Sequence, residues 1–72
     1  MEPTRTSIRF GRRLRKMRTE RGLTQTGLAH KARISQVYLS KLEAGTRLPG
    51  YHILRRLGLT LTPSLLLDLM EL

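Results

Sequence analysis

Residues 23–45 read LTQTGLAHKARISQVYLSKLEAG, and this stretch decides the fold. Its pattern predicts two short helices joined by a tight turn. Thr24 and Ser35 are suitable N-caps, because a short hydroxyl side chain can accept a hydrogen bond from the free backbone N–H groups of a first turn. We therefore expect helices over residues 25–32 and 36–44.

Each of these two predicted helices has one apolar face. In the first, the inward positions are Leu28, Ala29 and Ala32; in the second, Leu39 and Leu42 lie three residues apart and share one stripe. The remaining faces of the second helix carry small or polar side chains. A helix that is anchored by leucines on one side and offers hydrogen-bonding groups on the other can lie in the major groove of DNA.

Several short motifs occur between residues 14 and 49 with a characteristic spacing. They are Leu14-x-x-x-Arg18, Gly22-Leu-Thr-Gln25, Leu28-Ala29, Ile34-Ser35, Leu39-Ser40-x-Leu-Glu43, and Gly45 with Pro49. Any one of them is weak, but their joint spacing over half of the chain is a specific signal. In this set the chain resembles the helix-turn-helix domain of the Cro and lambda-repressor family, also called the XRE family. The resemblance implies an all-α fold, a compact five-helix lambda-repressor-like DNA-binding domain with the helix-turn-helix at helices 2 and 3.

Length and composition agree with one small helical domain. The chain has 72 residues and no cysteine, so neither disulfides nor thiolate metal sites can stabilise it. Its apolar residues are mainly leucines, and helix formers abound, which favours an all-α fold. A helical core of this size is often supplemented by a partner subunit.

The charge is strongly unbalanced. The formal net charge is +9, from 14 basic and 5 acidic residues. This excess indicates a polyanionic partner, either nucleic acid or an acidic membrane surface, although a charged face can also serve solubility alone. Eight basic residues lie in one segment: Arg5, Arg9, Arg12, Arg13, Arg15, Lys16, Arg18 and Arg21.

No apolar run approaches the roughly 20 residues needed to span a bilayer, and no signal peptide is evident. We therefore expect a cytoplasmic protein, associated with the bacterial nucleoid by its function. A basic amphipathic helix could lie on a membrane surface. However, the apolar stripe of the first helix is narrow and is needed for packing on helices 2 and 3, which argues against a membrane partner.

The N-terminal residues 1–6 are expected to form a flexible arm. Its Arg5 either reaches a DNA phosphate or neighbouring minor groove, or has no such role. Helix 1 is predicted to begin near Ser7 and to end near Arg21, with Gly22 as its left-handed C-terminal residue. Its inward stripe is Phe10, Leu14 and Met17, with Ile8 near the entrance.

Helix 4 is predicted from about Gly50 to Leu59 or Leu61. Gly58 inside this pattern either permits close packing or ends the helix early. Its apolar positions are Ile53, Leu54, Leu57 and Leu61.

The helix-turn-helix domain is expected to cover residues 7–72, with 62–72 as a dimerisation helix. Thr62-Pro63 is a helix start signal, and the apolar residues after it cover nearly every face of a short helix. One face can cover the core and another can pair with a second copy, unless all of these side chains pack internally or the terminus is frayed. The predicted homodimer contacts are Leu65, Leu66, Leu69 and Met70.

The resemblance also implies which residues contact DNA. Gln36 and Val37 would reach base edges, and Lys41, one turn further on, would reach a base or a phosphate. The chemistry fits, because an amide can bond adenine N6 and N7, a branched methyl group can pack on the thymine methyl, and an ammonium can donate to guanine. The resemblance implies a phosphate contact for Gln25. The other predicted phosphate contacts rest on side-chain chemistry and position: Ser35, Ser40, Tyr38, Thr46 and Arg47.

Some of these residues have a second role open to them. Gln25 would also support helix 3, and Ser35 serves mainly as the cap of its helix. Tyr38 is either an exposed ring near phosphates or a partial core residue. The resemblance further implies that Arg18 pairs with Glu43 and ties helix 1 to the motif.

Two positions depart from the family pattern. Arg33 occupies a turn position that is commonly glycine, so a non-glycine residue is expected to take a positive φ at a cost of about 1 kcal/mol. Gly27 stands where the third residue of helix 2 is often glutamate, which removes a capping-box partner and weakens that helix.

These features favour a sequence-specific, dimeric transcriptional regulator of bacterial or phage type, similar to small phage repressors and to controller proteins of restriction–modification systems. The expected partner is double-stranded DNA, an operator with two half-sites, and no cofactor, metal or small-molecule ligand is expected. An enzyme is disfavoured, since His30 and His52 lie in different helices and no nucleophile–base or phosphate-loop spacing occurs. Two alternatives remain: an antitoxin whose leucine-rich C-terminus binds another protein, and an RNA- or ribosome-associated adaptor.

Overall fold

The fold is given by a computed structural model that describes residues 2–61. This part of the chain contains four helices and no strand: α1 Arg5–Glu20, α2 Gln25–Ala32, α3 Gln36–Ala44 and α4 Tyr51–Thr60. The predicted bounds of α2 and α3 are confirmed to the residue. The predicted fifth helix and the dimer contacts Leu65, Leu66, Leu69 and Met70 lie outside the described residues.

One hydrophobic core joins the four helices. The inward residues predicted for each helix are buried or packed against that core. Met17 and Ile53 are only partly buried at its edge, and Ile8 is 36% exposed. The buried residues of the core are Phe10, Leu14, Leu28, Ala29, Ala32, Leu39, Leu42, Leu54, Leu57 and Leu61.

The start of α1 differs from the prediction. The helix begins at Arg5, so residues 5 and 6 of the expected arm belong to α1. Thr4 is the N-cap: its Oγ1 accepts from the Ser7 N–H at 3.1 Å, and the Ser7 Oγ accepts from the Thr4 N–H at 2.8 Å. Ser7, near which the sequence predicts the helix start, is the third helical residue and the partner of Thr4 in a capping box.

Helix α1 packs closely on α3. Gly11 is the point of closest approach, since a Cβ there would lie 2.6 Å from the carbonyl oxygen of Glu43 and would also overlap that of Leu42. The buried Ser7 hydroxyl donates to the carbonyl oxygen of Gly45 at 2.6 Å. These contacts fix the position of α3 against α1, although neither could be found from local sequence patterns.

Three residues in the loops after α1, α2 and α3 have the left-handed backbone conformation. Gly22 after α1 and Gly45 after α3 have φ of 68° and 82°, as expected for C-terminal glycines. Arg33 after α2 has φ of 58°, so the strain expected of a non-glycine residue at this turn is present. The turn is held by a hydrogen bond from the Ile34 N–H to the Ala29 carbonyl at 3.0 Å.

Helix 4 ends one residue before Leu61, which is its buried C-cap, and Gly58 lies inside the helix and is buried. The alternative in which Gly58 ends the helix early is therefore wrong. Helix α4 packs against α2, and α1 packs against α3. The helix-turn-helix formed by α2 and α3 therefore lies between α1 and α4. The first turns of α2 and α3 remain at the surface.

Candidate nucleic-acid interface

The first turns of α2 and α3 open onto the same surface. Thr24 and Ser35 cap them, accepting from the backbone N–H groups of Gly27 at 2.9 Å and Tyr38 at 3.0 Å. Helix N-termini carry a partial positive charge and uncommitted N–H groups, which favours anions nearby. Two such ends side by side form a surface suited to phosphate.

A line of side chains joins these two helix starts to α1. The Gln36 Nε2 donates to Gln25 Oε1 at 2.8 Å, and the Gln25 Nε2 donates to Glu43 Oε1 at 3.2 Å. Arg18 donates to the same carboxylate from Nε at 2.6 Å and from Nη2 at 3.0 Å. We call this set, Arg18, Glu43, Gln25 and Gln36, the amide relay.

Glu43 determines the direction of the amide relay. An ionised carboxylate can only accept hydrogen bonds, so the Gln25 NH₂ group must face it, and the Gln25 oxygen must face Gln36. Gln36 therefore commits one N–H to Gln25. Its carbonyl oxygen and second N–H make no further bond within residues 2–61 and are available at the surface.

The ion pair at the inner end of the relay is largely withdrawn from water. The Arg18 and Glu43 side chains are 11% and 4% exposed. The hydrogen bond to Glu43 raises the pKa of Arg18 above its ordinary value, and the carboxylate charge adds to this, while burial acts in the opposite direction. Arg18 also donates from Nη1 to the Leu23 carbonyl at 2.8 Å, so all three of its nitrogens are bonded.

The three residues predicted to contact bases share the exposed side of α3. Gln36, Val37 and Lys41 are exposed, Val37 to 61%. Leu39 and Leu42 on the opposite side are completely buried. The helix is thus fixed by its leucines while these three groups face outward.

The residues predicted to contact phosphate are placed less uniformly. Ser35 accepts the cap bond but keeps its own O–H to donate, and Arg47 is exposed. Thr46 donates its hydroxyl to the Lys41 carbonyl at 3.1 Å, which leaves no proton for a phosphate. Tyr38 is half-buried and packs against the core, as in the second of the two roles open to it.

Arg15 belongs to this surface and was not predicted as a site residue. It lines a cleft between α1 and α3 together with Arg18, Gln25, Ser40, Glu43 and Ala44. Because Arg18 is neutralised by Glu43, Arg15 is the exposed cation of the cleft. Its position one turn before Arg18 could have identified it, since residues three apart lie on neighbouring positions of one helix face.

Within residues 2–61, no three His, Cys, Asp or Glu side chains come together to hold a metal ion. No helix in that range is long and apolar enough to cross a membrane.

Comparisons with known proteins agree with this geometry. The profile of a helix-turn-helix domain family matches residues 9–61. No curated protein sequence matches the chain. Among solved structures, the clp gene regulator ClgR from Corynebacterium glutamicum superposes with a TM-score of 0.80 at 28% identity, over 99% of this chain and 78% of ClgR.

Two further structures are similar. The restriction–modification controller protein C.AhdI from Aeromonas hydrophila gives a TM-score of 0.74 at 33% identity, over 82% of this chain and 92% of its own. A chain of the SinR–SinI protein complex gives 0.74 at 31% identity, over 82% of this chain and 60% of its own. The family match spans all four described helices from residue 9 onward, and ClgR and C.AhdI are a gene regulator and a controller protein. The chain therefore belongs to the Cro/lambda-repressor-like (XRE) family of helix-turn-helix DNA-binding domains.

Proposed function

We propose that this protein is a sequence-specific transcriptional regulator of the repressor type, and that it inserts α3 into the major groove of an operator. The observation that carries the proposal is the amide relay. It holds Gln36 at the exposed start of a helix that is rigidly fixed by two buried leucines.

The groups that Gln36 leaves free match one base. Adenine presents N7 as an acceptor and N6–H₂ as a donor in the major groove. Gln36 has one N–H already committed to Gln25, so it retains one N–H for N7 and its carbonyl oxygen for N6. The direction set by Glu43 thus leaves Gln36 with the two groups that a bidentate bond to adenine requires. Val37 beside it can contact a thymine methyl, and Lys41 can donate to guanine.

Phosphate contacts hold the register of this complex. Arg15 lines the cleft beside α3, Ser35 caps the first turn of α3, and Arg47 is exposed in the loop that follows this helix. In this proposal all three donate to the backbone of the same duplex. Contacts of this kind give affinity that does not depend on sequence. The base contacts of α3 provide the discrimination.

The regulator acts as a homodimer through residues 62–72 in this proposal. The support is the sequence: six apolar residues stand between Leu65 and Leu72, more than one face of a small core can bury. A two-fold dimer requires two half-sites about one helical turn, or near 34 Å, apart.

Selection of bound sequences from random duplex DNA tests the proposal directly. We expect enrichment of a two-fold symmetric site in which one A·T pair of each half-site depends on Gln36. The Gln36→Ala variant should select the same site with that position relaxed, whereas Arg47→Gln should weaken all sequences alike. Failure to enrich any sequence, together with strong salt dependence, would instead support the RNA- or ribosome-associated adaptor.

A protein partner for the leucine-rich segment is the second candidate, as in an antitoxin. It is favoured by the density of leucines, and one neighbour of this chain is known from a complex of two different proteins, SinR and SinI. To distinguish the two candidate functions, the protein is expressed together with the products of its neighbouring genes, purified, and analysed by size-exclusion chromatography. A self-dimer supports the regulator, and a stable complex with another protein supports the antitoxin.

A further inference from the structure

A second basic surface lies on α1, away from the amide relay. Arg5, Arg9, Arg12 and Lys16 occur at intervals of four, three and four residues, so they form one continuous stripe along the helix. All four are exposed. We call these four residues the outer basic stripe.

The outer basic stripe faces away from α3. Four other residues of α1, each two positions after a member of the stripe, define the side that contacts α3: Ser7, Gly11, Leu14 and Arg18. Two residues correspond to about 200° around an α-helix, so the two sides are nearly opposite. A duplex held by α3 therefore cannot be the duplex that the outer basic stripe contacts along its length.

The stripe is unfavourable for the helix that carries it. Arg5 lies in the first turn of α1, where the helix dipole favours acidic residues, and this turn contains none. Like charges one turn apart also repel each other. Within residues 2–61, none of the four forms an ion pair. A local arrangement that weakens the helix without any compensating contact indicates a functional surface.

The chemistry of the stripe selects one polyanion. It spans about 16 Å, over which a duplex presents about ten phosphates. The surface contains no aromatic side chain on which unpaired bases could stack, which disfavours single-stranded RNA. Ile8 is the only apolar side chain that lines this surface beside the stripe, so the surface lacks the apolar centre of a protein interface.

We propose that the outer basic stripe is a second, sequence-independent DNA-binding surface, which contacts the phosphates of a second duplex segment while α3 holds the operator. A dimer bound at its operator would then hold a distant segment of the same DNA or a separate duplex. This rests on the proposed function, because the operator complex anchors the second contact.

A two-duplex capture assay tests this inference. The operator duplex is immobilised, saturated with protein and washed, and a fluorescent 40-bp duplex of unrelated sequence is then added over a range of KCl concentrations. The test variant is Arg9→Gln/Arg12→Gln/Lys16→Gln. The matched control is Lys31→Gln/Arg55→Gln/Arg56→Gln, which removes three exposed charges from α2 and α4 and changes the net charge equally.

Wild type and control should retain the second duplex at low salt, and the test variant should retain at least tenfold less. The slope of log affinity against log salt for the second duplex should fall by about 2.7 when three phosphate contacts are lost. Binding of the operator should stay the same in test and control variants. The test variant should also unfold at the same or a higher temperature, because repulsion along α1 is reduced.

Absence of second-duplex capture by wild type, or equal capture by test and control variants, would overturn the inference. So would displacement of the second duplex by single-stranded RNA at a lower phosphate concentration, or a lowered unfolding temperature of the test variant alone. If wild type fails to bind any selected operator, the proposed function itself is rejected. An intact operator complex without a second duplex rejects only the outer basic stripe.

Discussion

Replacement of Glu43 by leucine removes the centre of the amide relay. The substitution leaves the Arg18 guanidinium with two N–H donors unpaired in a site where the side chain is 11% exposed, and it also frees the Gln25 amide. Breaking a buried ion pair from one side costs about 3–5 kcal/mol, and the partial exposure of Arg18 places the expected loss near the lower value, about 3 kcal/mol. A domain of this size has only about 4–10 kcal/mol of stability, so much of it would be lost.

The double variant Arg18→Met/Glu43→Leu distinguishes a pairing effect from a packing effect. Without either charge, no ion remains buried and two apolar side chains fill similar volume, which is often neutral or stabilising. We expect the double variant to regain at least about 2 kcal/mol relative to Glu43→Leu. It should not regain full operator affinity, because Gln25 then has no acceptor to fix its orientation and Gln36 loses its support.

Urea denaturation followed by circular dichroism at 15 °C measures these free energies, and operator titration measures the affinities. Glu20→Gln is the matched control, since Glu20 is an exposed carboxylate of α1 and its loss should change the free energy of unfolding by less than about 0.5 kcal/mol. The reasoning is refuted if Glu43→Leu costs under about 1 kcal/mol, or if the effects of the two single substitutions simply add.

Three further substitutions test the placement of α3, each by urea denaturation against wild type. Gly11→Ala should lose about 1–3 kcal/mol or more, because its methyl group would overlap the Leu42 carbonyl; a neutral effect would contradict the close approach of α1 and α3. Arg33→Gly should gain about 0.5–1 kcal/mol by relieving the residue at φ of 58°, and a loss would mean that the arginine side chain itself contributes. Ser7→Ala should lose about 1–3 kcal/mol, since the buried carbonyl of Gly45 loses its donor; a loss below about 0.5 kcal/mol would show that this bond contributes little.

Local signals determined much of this fold, and contacts distant in sequence determined the rest. The bounds of α2 and α3 follow from the hydroxyl caps Thr24 and Ser35, whose hydrogen bonds involve residues three positions away. The predicted start of α1 was wrong by two residues because the N-cap is Thr4, which forms a capping box with Ser7. The packing of this end on α3 depends instead on the hydrogen bond from Ser7 to a carbonyl 38 residues away. No periodicity reveals such a contact.

The candidate site shows the same division. Exposure of Gln36, Val37 and Lys41 follows from the helical spacing of Leu39 and Leu42. The hydrogen bond between Gln25 and Gln36 joins two helices, so it depends on how the turn orients α2 and α3. The sequence suggested that Gln25 supports helix 3, but it did not reveal which atoms form the bond. Likewise, the sequence identifies Arg15 only as one of many basic residues of helix 1, whereas the structure shows that it lines the cleft beside α3.

The central claim is that Gln36 bonds the major-groove edge of an adenine, and 7-deaza-adenine tests it most directly because this base lacks only the N7 acceptor. When 7-deaza-adenine replaces adenine at the predicted position of the selected operator, wild-type binding should weaken about tenfold. This loss lies within the roughly 1–3 kcal/mol that a bidentate contact contributes. Binding of Gln36→Ala should not weaken further with the modified base. Equal weakening of both proteins, or none in wild type, would contradict the account.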